Sequence, residues 1–109
     1  MSDSVQDRIH RTVTGSPVVL YMKGTPEAPR CGFSRAVVDV LSGLSVPFTA
    51  VDVLADAEVW QGVKAYSDWP TIPQVFVGGT FIGGCDIVRD LHAKGELEPL
   101  VRAAIAARG

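Results

Sequence analysis

The sequence predicts an α/β domain in which a four-stranded mixed sheet is flanked by helices. Apolar residues at helical spacing alternate along the chain with short β-branched runs. The last two of these runs lie on either side of Gly78-Gly79, a two-residue hairpin signal. The 109 residues, 47% hydrophobic and 20% charged, suit one folded domain, which we place at residues 1–109.

Charge and composition exclude several classes of protein. The 10 basic and 12 acidic residues give a formal net charge of -2, and no basic run favours nucleic acid or an anionic membrane surface. The N-terminal segment lacks the apolar stretch of a secretory signal, and the apolar run Val18–Met22 is too short to span a bilayer. We therefore expect a cytoplasmic protein, in which Cys31 and Cys85 are free, reactive or metal-bound thiols.

The first half of the chain predicts a helix, a strand, a second helix and a second strand. Ser4 is the expected N-cap of the first helix, which ends at the Gly-Ser-Pro of residues 15–17. The β-branched run PVVLYM predicts a buried strand, and after a loop rich in Gly and Pro the next helix begins at Cys31. PFTAVDV alternates as a strand does. The inner faces of the two helices carry Val5, Ile9 and Val13, and Ala36, Val37, Val40, Leu41 and Leu44.

The second half predicts a third helix, the hairpin and two further helices. Asp56 is the expected N-cap of the third helix. The hairpin strands follow, and the second of them ends at the glycine pair of residues 83–84. Asp86 is the expected N-cap of the fourth helix, and a final amphipathic helix comes after it. The inner faces of these helices carry Val59, Val63 and Tyr66, then Ile87 and Leu91, then Leu97, Leu100, Val101, Ala104 and Ile105.

This order of elements predicts the topology of the sheet. A helix joins the first two strands, so we expect them to be parallel, with a right-handed crossover. The last two strands form an antiparallel hairpin. A mixed four-stranded sheet of this kind, covered by helices, is a thioredoxin-like fold.

Cys31 is the candidate reactive group. Unpaired N–H groups and the positive end of the dipole at a helix N-terminus favour a thiolate, and Lys23 and Arg30 add positive charge nearby. A thiol of lowered pKa is both a nucleophile and a soft metal ligand. The alternative is a buried structural cysteine, but the small residues that flank it in PRCGFS favour a thiol that other molecules can approach.

Two further features can complete a binding site around this thiol. A cis Ile72–Pro73 bond would aim the backbone of Ile72 at Cys31, whereas a trans turn proline is the more frequent form. In GGCD, residues 83–86, glycines admit a close ligand, helix N–H groups suit a carboxylate and Asp86 suits an ammonium group. This corner fits the amino-acid end of a peptide, although a simple helix cap accounts for the same pattern.

Four sequence blocks resemble the monothiol glutaredoxins. In chain order they are YMKGTPEAPR, CGFS, YSDWPTIPQVFVGG and FIGGCDI, and the similarity extends over residues 16–97. The resemblance implies a single-domain monothiol glutaredoxin, in which Ser34 occupies the position of a second cysteine.

The resemblance also implies a glutathione groove. Its expected contacts are Lys23 and Lys64 at the glycine carboxylate, Thr71, Ile72 and Pro73 along the cysteinyl part, Gly84, Cys85 and Asp86 at the γ-glutamyl end, and Phe33 beside Cys31. Cys31 would face the glutathione sulfur as the catalytic and cluster-ligating residue. Trp60 departs from the family pattern, because many relatives carry an arginine there for the glycine carboxylate.

One cysteine per chain suits a shared iron–sulfur cluster. A [2Fe–2S] centre is typically held by four thiolates. The family resemblance implies that two protomers each supply Cys31 and one bound glutathione, so that the cluster bridges a homodimer. The expected function is cluster transfer or storage and iron homeostasis, with BolA-type proteins and apo iron–sulfur proteins as partners.

Three other functions remain open from the sequence. Cys31 could catalyse glutathione-dependent thiol–disulfide exchange, which needs only one cysteine, although the resemblance implies weak catalysis. Two cysteines from each of two chains, Cys31 and Cys85, could supply all four cluster ligands. A zinc site built from both cysteines with His10 and His92 lacks the usual ligand spacing, and surface histidines are the simpler explanation.

Overall fold

The computed structural model describes residues 4–108 and confirms the mixed sheet flanked by helices. Its helices are α1 (Val5–Gly15), α2 (Gly32–Gly43), α3 (Ala57–Ser67), α4 (Cys85–Ala93) and α5 (Leu97–Arg108), with a 3₁₀ turn at Val53–Ala55. Its strands are β1 (Val18–Met22), β2 (Gly24–Thr25), β3 (Ala28–Pro29), β4 (Thr49–Asp52), β5 (Gln74–Val77) and β6 (Thr80–Gly83).

The four-stranded sheet has the order β4-β1-β5-β6. As predicted, β1 and β4 are parallel and the β5–β6 hairpin is antiparallel. The hairpin also pairs antiparallel with β1, so Leu20 lies between Ala50 on one side and Val75 on the other. The end of β1 therefore lies inside the sheet, which gives the residues that follow it a fixed position.

The apolar core lies on both faces of the sheet, and β1 contributes to each. All five of its residues are buried, as the continuous apolar run predicted. Leu20 and its neighbours on one face pack with α2, α4 and α5, while Val19 and Tyr21 pack with α1 and α3 on the other. Alternation of side chains along a strand explains how one short run serves two cores.

The helix caps hold the helices in the predicted register. The Ser4 hydroxyl accepts a hydrogen bond from the Asp7 N–H at 3.0 Å, and Asp56 accepts from the N–H groups of Glu58 and Val59. A glycine allows α1 and α3 to approach closely, because a Cβ at Gly62 would lie 2.9 Å from Ile9 Cδ1. Within residues 4–108 no helix is both long and apolar enough to cross a bilayer.

The prediction for the start of α4 is wrong. Gly84 is the N-cap, the helix begins at Cys85, and Asp86 lies in the first turn rather than capping it. The same register directs Cys85 and Val88 into the core, whereas Ile87, predicted to face inward, is 38% exposed. Residues three apart on a helix share a face, so Val88 occupies the place that the sequence analysis gave to Ile87.

Smaller differences concern the loops and one helix face. The glycine- and proline-rich loop after β1 contains the short β2–β3 pairing, which the pattern did not predict. The strand predicted from PFTAVDV is shorter, because its end turns into the 3₁₀ segment. On α5, Leu100 is 40% exposed although it was expected to face inward.

Candidate functional site

A groove of about 590 Å³ lies where β1 ends and α2 and α4 begin. It brings together every residue that the sequence analysis proposed for the site: Lys23, Cys31, Phe33, Lys64, Thr71, Ile72, Pro73, Gly84, Cys85 and Asp86. Trp60, which departs from the family pattern, also lines the groove. So do Trp69, Pro70 and Ile87, which were not predicted as site residues. The roles of these residues toward a ligand remain predictions.

Cys31 is the N-cap residue of α2 and lies at the surface of the groove, partly exposed. The backbone N–H of Ser34 lowers the pKa of the Cys31 thiol most, and partial burial opposes it. The Phe33 N–H, the Lys23 ammonium and the Ser34 hydroxyl lower that pKa further. The N–H groups, the ammonium and the hydroxyl all stabilise the thiolate form, which is why the pKa of Cys31 falls.

Ser34 is fully buried beneath the reactive thiol. Its hydroxyl oxygen accepts a hydrogen bond from the Lys23 N–H at 3.1 Å, which ties the end of β1 to the first turn of α2. A second cysteine at this position would have to fill a small buried space that a hydrogen-bonded hydroxyl already occupies. Ser34 is therefore a structural link within the site, and the groove contains one approachable thiol, that of Cys31.

One end of the groove is positively charged. Lys23 and Lys64 both line it, and within residues 4–108 neither ammonium forms an ion pair with a carboxylate. The Lys23 Nζ atom lies 5.4 Å from the centre of the Trp60 ring, in the geometry of a cation–π contact. These two ammonium groups remain available to an anionic part of a ligand.

The loop between α3 and β5 forms one wall of the groove that Cys31 also lines. The Ile72–Pro73 peptide bond, for which the sequence left both forms open, is cis. Gln74 is fully buried, and its side-chain amide donates hydrogen bonds to the carbonyls of Trp69 at 3.0 Å and Thr71 at 3.1 Å. The sequence analysis missed Gln74, although a polar residue opening an apolar strand is a signal that could have revealed it.

The other end of the groove is the N-terminus of α4. No side chain caps this helix, so its first N–H groups can receive a carboxylate, and Asp86 in the first turn can receive an ammonium group. A Cβ at Gly84 would lie 3.2 Å from the Pro73 carbonyl oxygen, so glycine keeps the two walls close. Cys85 is buried beside this end, and both cysteines are free thiols.

The histidines lie elsewhere. His10 on α1 has its Nδ1 atom 2.8 Å from the Tyr66 hydroxyl, and His92 is in the last turn of α4. Neither lines the groove. Within the described chain, no three His, Cys, Asp or Glu side chains come together as a metal site.

Comparison with known proteins places these features in one family. A sequence profile described as Glutaredoxin matches residues 18–82. A Synechocystis protein named as an uncharacterized monothiol glutaredoxin is 50% identical over 106 residues, which are 97% of this chain and 99% of that protein. Several other curated relatives are longer, so the chain spans between 20% and 57% of their length.

Solved structures agree in fold with this chain. The solution structure of reduced poplar apo GrxS14 superposes with a TM-score of 0.83 at 43% identity, covering 94% of each chain. The holo form of glutaredoxin C1 from a poplar hybrid superposes with a TM-score of 0.84 at 27% identity, covering 94% of this chain and 90% of that one.

Proposed function

The chain belongs to the monothiol glutaredoxin family, and on that basis we propose that it binds glutathione and carries a [2Fe–2S] cluster between two protomers. Its role would be the transfer or storage of clusters and iron homeostasis. The observation that carries the proposal is the thiol of Cys31, which lies at the surface of the groove and has a lowered pKa. Position 34, where a second cysteine would stand, holds the buried hydroxyl of Ser34.

The charges along the groove support glutathione as its ligand. Glutathione has a carboxylate at one end, a zwitterionic γ-glutamyl group at the other and a thiol between them. The groove has the ammonium groups of Lys23 and Lys64 at one end, and Asp86 with the N-terminus of α4 at the other. With Cys31 lining the same groove, a ligand in this orientation would bring its sulfur toward the protein thiol.

The number of thiolates supports a shared cluster. A [2Fe–2S] centre needs about four thiolate ligands. Cys31 and one glutathione from each of two protomers supply that number, whereas one protomer alone does not. Phe33, 61% exposed beside Cys31, gives the rim of the groove an apolar surface that a second protomer would cover.

A second function, glutathione-dependent thiol–disulfide exchange, is favoured by the lowered pKa of Cys31. The Cys31 thiolate would attack a glutathionylated protein, form a mixed disulfide with glutathione and release the protein as a thiolate. A second glutathione thiolate would then attack that disulfide, releasing oxidised glutathione and restoring the Cys31 thiolate. We place this second, as weak activity beside cluster transfer.

The partners follow from the same proposal. Apo iron–sulfur proteins would receive the cluster, and a BolA-type protein would replace one protomer in a mixed complex. We propose that these exchanges take place in the cytoplasm.

Anaerobic reconstitution tests the proposal. Purified protein is mixed with ferric iron, a sulfide source and glutathione, and its visible absorption and gel-filtration volume are recorded. We expect a brown dimer that requires glutathione and that Cys31→Ser abolishes. Cys85→Ser serves as the matched control, because it removes the other thiol and should leave the colour in place.

Two results would contradict the cluster proposal. Colour that persists without glutathione but disappears in Cys85→Ser would mean that four protein thiolates hold the cluster. A colourless monomer that reduces a glutathionylated substrate through Cys31 would establish thiol exchange as the function.

A further inference from the structure

The positively charged end of the groove contains an aromatic side chain among its cations. Trp60 lies on α3 and lines the groove together with Lys23 and Lys64. Its ring lies 5.4 Å from the Lys23 ammonium, and the indole itself brings no positive charge. The ligand-binding surface at this end is therefore two ammonium groups beside an apolar face.

Both partners of this contact start from fixed backbone. The Lys23 N–H donates to the Ser34 hydroxyl oxygen at 3.1 Å, and its carbonyl accepts from the Arg30 N–H at 2.9 Å. Trp60 lies in the first turns of α3, which Asp56 caps. Its backbone N–H donates a hydrogen bond to the Asp56 carbonyl at 3.0 Å. The contact between the Lys23 ammonium and the indole therefore joins two side chains whose backbones the fold holds in place.

Two ammonium groups beside an indole predict weak binding of a terminal carboxylate at this end of the groove. A partly exposed lysine–carboxylate pair strengthens binding by less than about fivefold, because water screens it and two flexible side chains lose freedom. Lys23 also exchanges its contact with the indole for the carboxylate, which reduces the net gain. The indole face, in contrast, can pack against any terminal residue, whether its carboxylate is free or blocked.

We propose that Trp60 is a specificity-determining residue that makes the groove tolerant at the carboxyl end of its thiol peptide. The groove then takes γ-glutamylcysteinyl thiols whose terminal carboxylate is blocked or extended nearly as well as it takes glutathione. This inference rests on the proposed binding of glutathione. The γ-glutamyl end and the thiol supply the selectivity, through the N-terminus of α4, Asp86 and Cys31.

A comparison of two ligands in matched variants tests the inference. Reduced protein is equilibrated with glutathione and its disulfide, and separately with the glycine ethyl ester of glutathione and its disulfide. In each, the Cys31 thiolate forms one mixed disulfide and releases one thiol, so the equilibrium constant reports how well the groove holds the ligand. The adduct is quantified by intact mass and located at Cys31 by peptide mapping.

We expect the wild-type constants for the two ligands to differ by less than about fivefold, the range of an exposed ion pair. In Trp60→Arg, a guanidinium able to form charge-assisted hydrogen bonds should raise the constant for glutathione about tenfold and leave that for the ester unchanged. Gln61→Arg is the matched control, because it adds the same charge on an exposed neighbour that does not line the groove.

The outcomes separate this inference from the function on which it rests. A wild-type preference for glutathione over the ester of more than about fivefold, beyond the range of an exposed lysine pair, would overturn the inference while supporting glutathione binding. Equal strengthening of both ligands by Trp60→Arg would also overturn it. Failure of every variant to form an adduct at Cys31 with either ligand would overturn the proposed function itself, and the inference with it.

Discussion

At the scale of single residues, Ser34 and Lys23 explain why the site has one reactive thiol. Ser34 fills the space under Cys31 and binds the Lys23 backbone, while the Lys23 side chain contributes positive charge to the thiolate. The same backbone link therefore fixes both the protein thiol and the cation beside it. Two substitutions test these roles separately.

Replacing Ser34 with alanine should destabilise the fold. The partly buried Lys23 N–H would lose its acceptor, and an unpaired group of this kind costs at most about 1–3 kcal/mol. The free energy of unfolding from urea denaturation measures the effect. Ser42→Ala is the control, since this serine is exposed on the same helix. Equal stability of the two variants would show that the Ser34 hydrogen bond is not stabilising.

Replacing Lys23 with glutamine should raise the pKa of Cys31. The ammonium is one of the groups that lower this pKa, after the N–H groups of Ser34 and Phe33, so its removal leaves part of the lowering in place. The rate of alkylation by iodoacetamide as a function of pH reports the thiolate, and its midpoint should move to higher pH. Lys94→Gln controls for charge alone, because Lys94 pairs with Asp90 at the surface. An unmoved midpoint would contradict the role of Lys23.

The sequence predicted the reactive residues better than the residues that support them. Cys31, Lys23 and Asp86 carry chemistry that pattern alone suggests. Gln74 and Trp69 were missed as parts of the groove, because Gln74 acts through hydrogen bonds to backbone carbonyls, and such contacts leave no regular pattern in a sequence.

At the scale of elements, the loop between α3 and β5 depends on one buried amide. Gln74→Leu should leave the Trp69 and Thr71 carbonyls without their side-chain donor and loosen the wall of the groove. We expect a loss of about 1–3 kcal/mol in the free energy of unfolding. Hydrogen exchange should also become faster at the amides of Thr71, Ile72, Gln74 and Val75.

A surface substitution of the same chemical type separates these effects. Gln61→Leu removes an exposed amide on α3 and should change neither quantity. If Gln74→Leu matched it in both stability and exchange, the loop would not depend on Gln74.

The elements also show where periodicity reaches its limit. Caps at Ser4 and Asp56 and the buried strand β1 were predicted correctly, because each has a strong local signal. The start of α4 was misplaced by two residues, because Asp86 is a good capping residue by type whereas the observed N-cap is Gly84. Successive residues of a helix are about 100° apart, so Cys85 and Val88 face the core while Ile87, next to Val88, lines the groove.

At the scale of the whole molecule, Tyr21 lies in the centre of the fold on β1, where burial raises its pKa from 10.0 to about 12. The neutral phenol is the form that the folded protein favours. Its contribution to stability is therefore complete below pH 10 and is lost as pH rises toward about 12.

Alkaline unfolding measures this contribution. The free energy of unfolding of the wild-type protein should fall between pH 10 and 12 more steeply than that of Tyr21→Phe, which has no proton to lose there. Tyr66→Phe provides the comparison, as Tyr66 is only half-buried. Parallel pH profiles for wild type and Tyr21→Phe would rule out the role of Tyr21.

The overall topology followed from the order of elements, but the shape of the groove did not. The parallel pairing of β1 with β4 and the β5–β6 hairpin are consequences of connection length and turn type. The groove needs the ends of β1, α2, α3 and α4 to meet at set distances, and its contacts join residues far apart in the chain. The placement of Trp60 beside Lys23 is such a contact.

The central position of β1 has a consequence for synthesis on the ribosome. This strand is apolar on both faces, yet both of its partner strands are synthesised after it. Ala50, which pairs with Leu20 on one side, is made before Val75, which pairs with it on the other. In a nascent chain the apolar strand β1 therefore stays unpaired on one edge until the β5–β6 hairpin has left the exit tunnel. We expect stalled chains that end before β5 to bind chaperones and to be cut by protease, and chains that extend past residue 83 and clear the tunnel to become resistant.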